Sequence, residues 1–289
     1  MEQDMNNERI VVVTNGNYFA RVILEPLCIR FKYHITGVVL VEGDYSGHSG
    51  WRALWNVGRR TALPYTLYKV IQITLFRLAQ KCYPSVWFDV ERMCQALAIP
   101  IFRTTRVNHP TVYDWVREKE PALGISVSCP QRIRSRLLSV PMRGFLNIHS
   151  SLLPQYAGIA PYFWVLAESQ KVTGVTVHYM TEEFDAGNIL VQKTLFIPQG
   201  ISAFELFCRL AWLGSDALVE ATEKALRGDL GIPQDTSRRS YRSHPTWQAY
   251  QWLKRNGYAV ARWSELWQAI RGTIQHQKEL MSQNHEPSS

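Results

Sequence analysis

The sequence predicts an α/β fold, a mostly parallel twisted sheet flanked by helices, and three observations carry that expectation. Arg9–Thr14 (RIVVVT) is a β-rich run that ends in Asn15-Gly16-Asn17. Tyr18, Val22, Ile23 and Leu27 then recur at helical spacing, and Ile35–Val41 (ITGVVLV) is a second β-rich run. A strand, a helix and a strand in this order imply parallel pairing. Gly16 stands alone, whereas a dinucleotide fingerprint needs three glycines, so a simple βα turn is expected there.

At 289 residues and 46% apolar content, the chain can bury a large α/β core and still carry an appendage. The opening MEQDMNNE is polar and acidic, unlike a secretion signal, and no apolar run is long enough to span a bilayer, so a cytoplasmic protein is expected. Cys28, Cys82, Cys94, Cys129 and Cys208 are widely spaced, without a C-x-x-C pair. They read as buried thiols, with neither a disulfide framework nor a metal site.

The formal charge of +8 is concentrated. Between Asp44 and Asp89 there is no acidic residue, while Arg52, Arg59, Arg60, Lys69, Arg77 and Lys81 are all basic. The high pI therefore describes one local surface and does not by itself indicate nucleic-acid binding. In this insert, residues 44–88, Pro64 opens a helical pattern through Leu67, Val70, Ile71, Leu75 and Leu78. Packing beside the sheet, a lid, a homodimer surface and a membrane-edge contact all suit a basic amphipathic helix.

Further along, Val90–Leu97 suits a helix, Ile99-Pro100-Ile101 begins a strand or edge segment, and Val112–Lys119 is helical again. Leu123–Ser128 is strand-like and runs into Cys129-Pro130-Gln131-Arg132-Ile133. Tyr162–Glu168 reads as a helix, Leu190–Phe196 as a strand, and Ala203–Leu226 as a long covering helix. Gly228–Ser243, rich in Gly, Pro, Asp and Ser, marks a boundary between residues 1–230 and a helical extension, 231–289. In that extension a helix over Pro245–Arg255 closes at Asn256-Gly257, Ser264 caps another to about Leu280, and the end from Ser282 is expected to be disordered.

The chemistry concentrates in two stretches. In GFLNIHSSLLPQYAG (Gly144–Gly158) a short buried strand delivers Asn147 and His149, two residues apart and so on one face. In GVTVHYMTEEFDAGNIL (Gly174–Leu190) an alternating strand ends in an acidic turn containing Asp185 and Gly187. Amide, imidazole and carboxylate together form a set suited to oxyanion binding and proton transfer.

Asn-x-His, the SLLP loop, Gly158 and Pro161, and Asp185-x-Gly187 occur in the order and spacing of a known family. The chain resembles the formyltransferase catalytic domain of methionyl-tRNA formyltransferase, glycinamide ribonucleotide transformylase and the sugar N-formyltransferases. The resemblance is clear over about Ser126–Leu226, plausible over the first forty residues, and poor over Tyr45–Trp87 and beyond Asp235.

It implies a Rossmann-like sheet and a transfer of the formyl group of 10-formyltetrahydrofolate to an amine. It implies that Asn147, His149 and Asp185 are catalytic. Folate contacts are implied for Gln131, Arg132 and Ile133, through the backbone of their turn, and for Met180, Thr181, Glu182 and Phe184. Ser150, Ser151, Tyr156 and Gly158 are implied for the acceptor, and His178 reads as structural.

Two departures bear on the acceptor. Ala157 stands where several relatives carry arginine, and the tail lacks the length and periodicity of the β-barrel found in methionyl-tRNA formyltransferases. An N-formyltransferase acting on a small amine, such as an amino sugar or a natural-product intermediate, is the leading expectation. Action on methionyl-tRNA, hydrolysis of formyl-folate and a non-catalytic folate-binding or membrane-edge protein are the alternatives.

Overall fold

The computed structural model describes residues 8–283. β1 (Ile10–Thr14), α1 (Tyr18–Arg30) and β2 (Ile35–Val41) form the opening unit, with Asn17 capping α1 by accepting the Ala20 amide at 2.9 Å. The insert folds as α2 (Gly50–Gly58) and α3 (Leu63–Cys82), the second with Pro64 in its first turn. Then come α4 (Val90–Leu97), β3 (Ile101–Thr104), α5 (Pro110–Glu118), β4 (Leu123–Val127), the short α6 (Ser135–Leu138) and β5 (Phe145–His149). β6 (Ala157–Gly158), α7 (Pro161–Ala167), β7 (Val172–Tyr179), β8 (Ile189–Phe196) and α8 (Ala203–Leu226) follow. The tail supplies β9 (Tyr241–Arg242), α9 (Trp247–Arg255) and α10 (Trp263–Gln283).

The main sheet has the order β3-β2-β1-β4-β5-β7-β8, parallel from β3 to β5, with β7 and β8 antiparallel. Its order reverses between β1 and β4, which opens a crevice at the carboxyl ends of the central strands. Successive residues of β1 serve opposite faces. Ile10 and Val12 join the larger core with α1, α3, α7 and α8, whereas Val11 and Val13 join a smaller one with Val112 and Val116 of α5.

The tail packs into the larger core rather than standing apart, through Ala249 and Leu253 of α9 and Leu266 and Ile270 of α10. Its deepest tie is polar. Glu25 of α1, 1% exposed, receives Arg21 at 2.8 Å and Gln277 at 2.8 Å, and His276 lies 3.2 Å away. Gln277 in turn accepts the Trp87 amide at 2.6 Å, so α1, the end of the insert and α10 share one buried network.

Four local expectations are corrected. α10 starts at Trp263, one residue before Ser264, because Glu265 accepts the Arg262 amide at 2.8 Å and so caps the helix in place of the serine. The helix continues through Ser282 to Gln283, since Leu280 still packs on the core; the rest of the expected disordered end lies outside the described residues. Cys82 is exposed, on the outer face of α3's last turn, and only Cys28 and Cys94 are fully buried. Lys69 does not belong to the basic surface, because α3 turns its side chain inward among aromatic rings. Among the described residues no helix is long and apolar enough to cross a membrane.

Candidate active site

β5 delivers Asn147 and His149 to the crevice, as their spacing predicts, and the turn after β7 brings Asp185 to meet them. Asp185 Oδ2 lies 3.7 Å from His149 Nδ1 and accepts the Gly158 amide at 2.9 Å. Its Oδ1 receives the Asn147 amide at 3.5 Å. Both partners are shielded: the side chains of His149 and Asp185 are 8% and 10% exposed. Burial pushes the Asp185 carboxyl up, but the adjacent His149, then His178 and the Gly158 amide, outweigh it and hold the group well below the usual carboxylate range.

His149 Nε2 donates to the Tyr156 carbonyl at 2.8 Å, so Nδ1 is the nitrogen that faces Asp185. Both ring nitrogens thus face oxygen atoms, Nε2 in a hydrogen bond and Nδ1 at 3.7 Å from the carboxylate. His178 differs. Its Nδ1 donates to the Tyr179 carbonyl at 2.8 Å, and its Nε2 sits 3.3 Å from Asn147 Nδ2 and 3.6 Å from Asp185 Oδ1. His178 therefore borders both the amide and the carboxylate.

Sequence reasoning set His178 aside as structural. Its place in the cluster comes from the antiparallel register, in which Asn147 pairs with His178 across β5 and β7. Nothing local encodes that pairing. The available hint was alternation, which puts His178 on the same face as Thr176 and Met180.

The cluster lies in a cavity of about 430 Å³, and Gln131, Arg132, Ile133, Met180, Thr181, Glu182 and Phe184 all line it. The two turns are bridged by Arg132, which donates to the Glu182 carbonyl and lies 5.4 Å over the Phe184 ring. The Gln131 side chain is consumed in structure, donating to the carbonyls of Asp44 at 2.8 Å and Thr105 at 2.7 Å and accepting the Val107 amide at 2.9 Å. Only its backbone remains for a ligand. Sharing Tyr45, Gln131, Arg132 and Glu182 with it is an adjoining cleft of about 690 Å³ that carries Arg106, Arg132, Arg134 and His109.

Of the residues expected to meet an acceptor, Ser150 and Gly158 line the cavity, whereas Ser151 and Tyr156 stand behind it. The Ser151 hydroxyl donates to the Gln155 carbonyl at 2.8 Å, and the Tyr156 hydroxyl donates to Glu168 at 2.9 Å. Gly158 is required by geometry: its φ is +103°, and a Cβ there would lie 2.3 Å from the Arg242 carbonyl oxygen.

That carbonyl belongs to the tail, whose role at the site the sequence did not reveal. β9 pairs with β6, Ser240 accepts the Tyr156 amide at 2.9 Å through its hydroxyl, and Gln234 donates to the carbonyls of Asp185 at 3.0 Å and Gly187 at 2.7 Å. The stretch that composition marks as a boundary thus braces both loops of the cluster. Among the described residues no group of three or more His, Cys, Asp or Glu is placed to hold a metal ion.

Comparison with known proteins agrees with this architecture. A sugar N-formyltransferase from Shewanella sp. superposes with a TM-score of 0.54 at 16% identity, covering 86% of this chain and 87% of that one. Glycinamide ribonucleotide transformylase 1 from Symbiobacterium toebii gives 0.56 at 17% identity, covering 79% and 94%. At such identities the likeness is one of fold.

In sequence, a methionyl-tRNA formyltransferase from Synechococcus sp. (strain JA-2-3B'a(2-13)) is 37% identical over 151 residues, 52% of this chain and 47% of that protein. One from Alkaliphilus metalliredigens is 29% identical over 186 residues, 64% and 56%. The chain spans about half the length of the curated relatives it matches. Residues 73–222, just over half the chain and containing Asn147, His149 and Asp185, match the family described as formyl transferase. The match begins inside the insert, at a point where the sequence motifs showed only a poor likeness. With the sheet order, the cavity and this match in hand, the chain belongs to the formyl transferase family.

Proposed function

We propose that this protein is an N-formyltransferase that uses 10-formyltetrahydrofolate as donor and the primary amine of a small molecule as acceptor. The observation that carries the reading is the convergence of Asn147, His149 and Asp185 in one cavity beside the turns at Gln131–Ile133 and Met180–Phe184. Folate fits those surroundings: apolar walls from Ile133 and Met180 suit a flat ring, and Arg106, Arg132 and Arg134 in the adjoining cleft suit glutamate carboxylates.

The donor supplies a formyl carbon that exchanges its bond to N10 for a bond to the amine, as one proton passes from the amine to N10. Asn147 Nδ2 and a charged or proton-sharing His149 stabilise the negative charge that grows on the formyl oxygen. Asp185 fixes the imidazole through Nδ1 and, through water, takes part in moving the surplus proton. His178 packs beside the amide and the carboxylate and limits where they can move. The Gly158 amide donates to Oδ2, the same carboxylate oxygen that faces the imidazole, and so helps to hold Asp185 in place.

Two other readings bear on the same cavity. An aminoacyl-tRNA acceptor is favoured by the names of the sequence relatives. Hydrolysis of the donor needs only water in place of the amine. Incubating the protein with 10-formyltetrahydrofolate, a panel of amines, charged tRNA and a no-amine control, with mass spectrometry for a gain of one formyl group, separates them. Formylated amine is the expected result. Donor loss in the control alone indicates hydrolysis, and no donor loss anywhere ends the proposal.

A further inference from the structure

We infer that the acceptor amine is carried on an apolar alkyl or aromatic body rather than on a phosphorylated or nucleotide-linked one. The inference rests on the proposed function and deepens it. With the donor against the turns at Gln131–Ile133 and Met180–Phe184, the amine is left the rest of the cavity, whose apolar arm is lined by Ile23 of α1, Tyr162 of α7, Val175 of β7, and Phe207, Leu210 and Ala211 of α8.

None of these six carries a charge. Apart from the two histidines, Arg132 is the only cationic side chain that lines the cavity, and it belongs to the donor turn. A phosphate in this arm would shed its water with no counter-charge to replace it, which is strongly unfavourable. The Tyr162 hydroxyl is already paired with that of Tyr65 at 2.6 Å, and Tyr162 stacks on Phe207 with ring centroids 4.2 Å apart. Lys69 sits against both rings, 5.6 and 5.7 Å from their centroids, but does not line the cavity. The insert helix α3 thus backs the arm with aromatic bulk, so the insert shapes the acceptor side.

The test is a homologous series of linear primary amines and an arylalkylamine, set against a nucleotide-linked amino sugar, each with 10-formyltetrahydrofolate. Burial of about 0.8 kcal/mol per methylene corresponds to roughly a fourfold rise in kcat/KM for each methylene that enters the arm, until the arm is full. Ala211→Phe, which narrows the arm, should shorten the best chain and lower kcat/KM at least tenfold, with donor affinity by calorimetry unchanged. Phe207→Ala, which widens it, should shift preference to bulkier amines and serves if the first variant fails to fold. A flat response to chain length, or a tenfold preference for the nucleotide-linked amine, overturns the inference while leaving N-formyl transfer intact. Absence of donor binding and of transfer to every amine overturns both.

A separate observation concerns the outer face of the insert. On α2, Trp51 and Trp55 are 72% and 62% exposed, and on α3 Leu63 and Leu67 are 75% and 56% exposed, beside the exposed Arg52, Arg59 and Arg60. We propose that this face rests on an anionic lipid surface. Tryptophan, leucine and arginine on two helices that contain no acidic residue combine insertion with attraction to lipid headgroups. A second copy meeting this face by two-fold symmetry would set the same cations against each other.

Co-sedimentation of the full chain with phosphatidylcholine vesicles, with and without one-third phosphatidylglycerol, checks this. Binding should require the anionic lipid and fall steeply between low and high salt. The double change Trp51→Ser and Trp55→Ser should lower it at least tenfold while leaving transfer to a soluble amine unchanged. No binding to anionic vesicles, or equal binding by the double variant, overturns the proposal. So does a concentration-dependent dimer that the same change dissolves.

Discussion

Replacing Asp185 by asparagine keeps its shape and removes its charge, which makes it the sharpest probe of the cluster. Its carboxylate lies 3.7 Å from His149 Nδ1, and both side chains are about nine-tenths buried. At an effective dielectric near 20, a unit charge at that distance stabilises the imidazolium by about 4 kcal/mol. Residual water in the cavity lowers the realised value, so a loss of roughly a hundredfold to a thousandfold in the chemical step is expected. His149→Ala should lose at least a hundredfold, as removal of an oxyanion or acid-base group does elsewhere.

Because the carboxylate works through the imidazole, the losses should not multiply: the double variant should be little worse than the poorer single one. The assay is single-turnover transfer from 10-formyltetrahydrofolate to the best amine of the panel, with donor affinity measured separately to confirm an intact site. Multiplicative losses would show that the two residues act independently. A fully active His149→Ala would refute the mechanism.

Three further outcomes follow from the same geometry. Gly187→Ala places a Cβ 1.9 Å from the Tyr179 carbonyl oxygen, which is backbone and cannot yield, so stability should fall by about 1–3 kcal/mol in urea and donor affinity should fall with it. An unchanged denaturation midpoint would count against the turn as drawn. Glu25→Ala strands a fully buried Arg21 and should cost about 3–5 kcal/mol, whereas a loss under 1 kcal/mol would mean that the guanidinium finds another partner. Burial depresses the Lys69 amine from 10.5 to about 8, so between those values the unfolded chain holds more protons than the native one. Lys69 should therefore add stability as pH rises from about 8 to about 10.5. The stability difference between the wild type and Lys69→Met, followed by urea denaturation, isolates that trend from the buried tyrosines and cysteines, and a pH-independent difference would refute it.

Much of the fold and the centre of the site are legible in the sequence because they depend on local geometry. Period-two and helical spacing place β1, α1, β2, β4, β5 and α8 within a residue or two. The two-residue repeat of a strand puts Asn147 and His149 on one face whatever else the chain does. The acidic turn with Gly187 places Asp185 at a strand's end, where this kind of sheet binds ligands.

The rest was decided by contacts between residues far apart in the chain. His178 enters the cluster through the β5–β7 register, which no residue near it specifies. Gly228–Ser243 has the composition of a linker but runs along the site, because β9, Ser240 and Gln234 satisfy backbone groups that the two site loops leave open. Lys69 counts as one more positive charge in the sequence, yet it is drawn inward by five aromatic rings contributed by α1, α3, α7 and α8. Local sequence determines which face a side chain takes and how a turn closes; only the assembled core determines what that face meets.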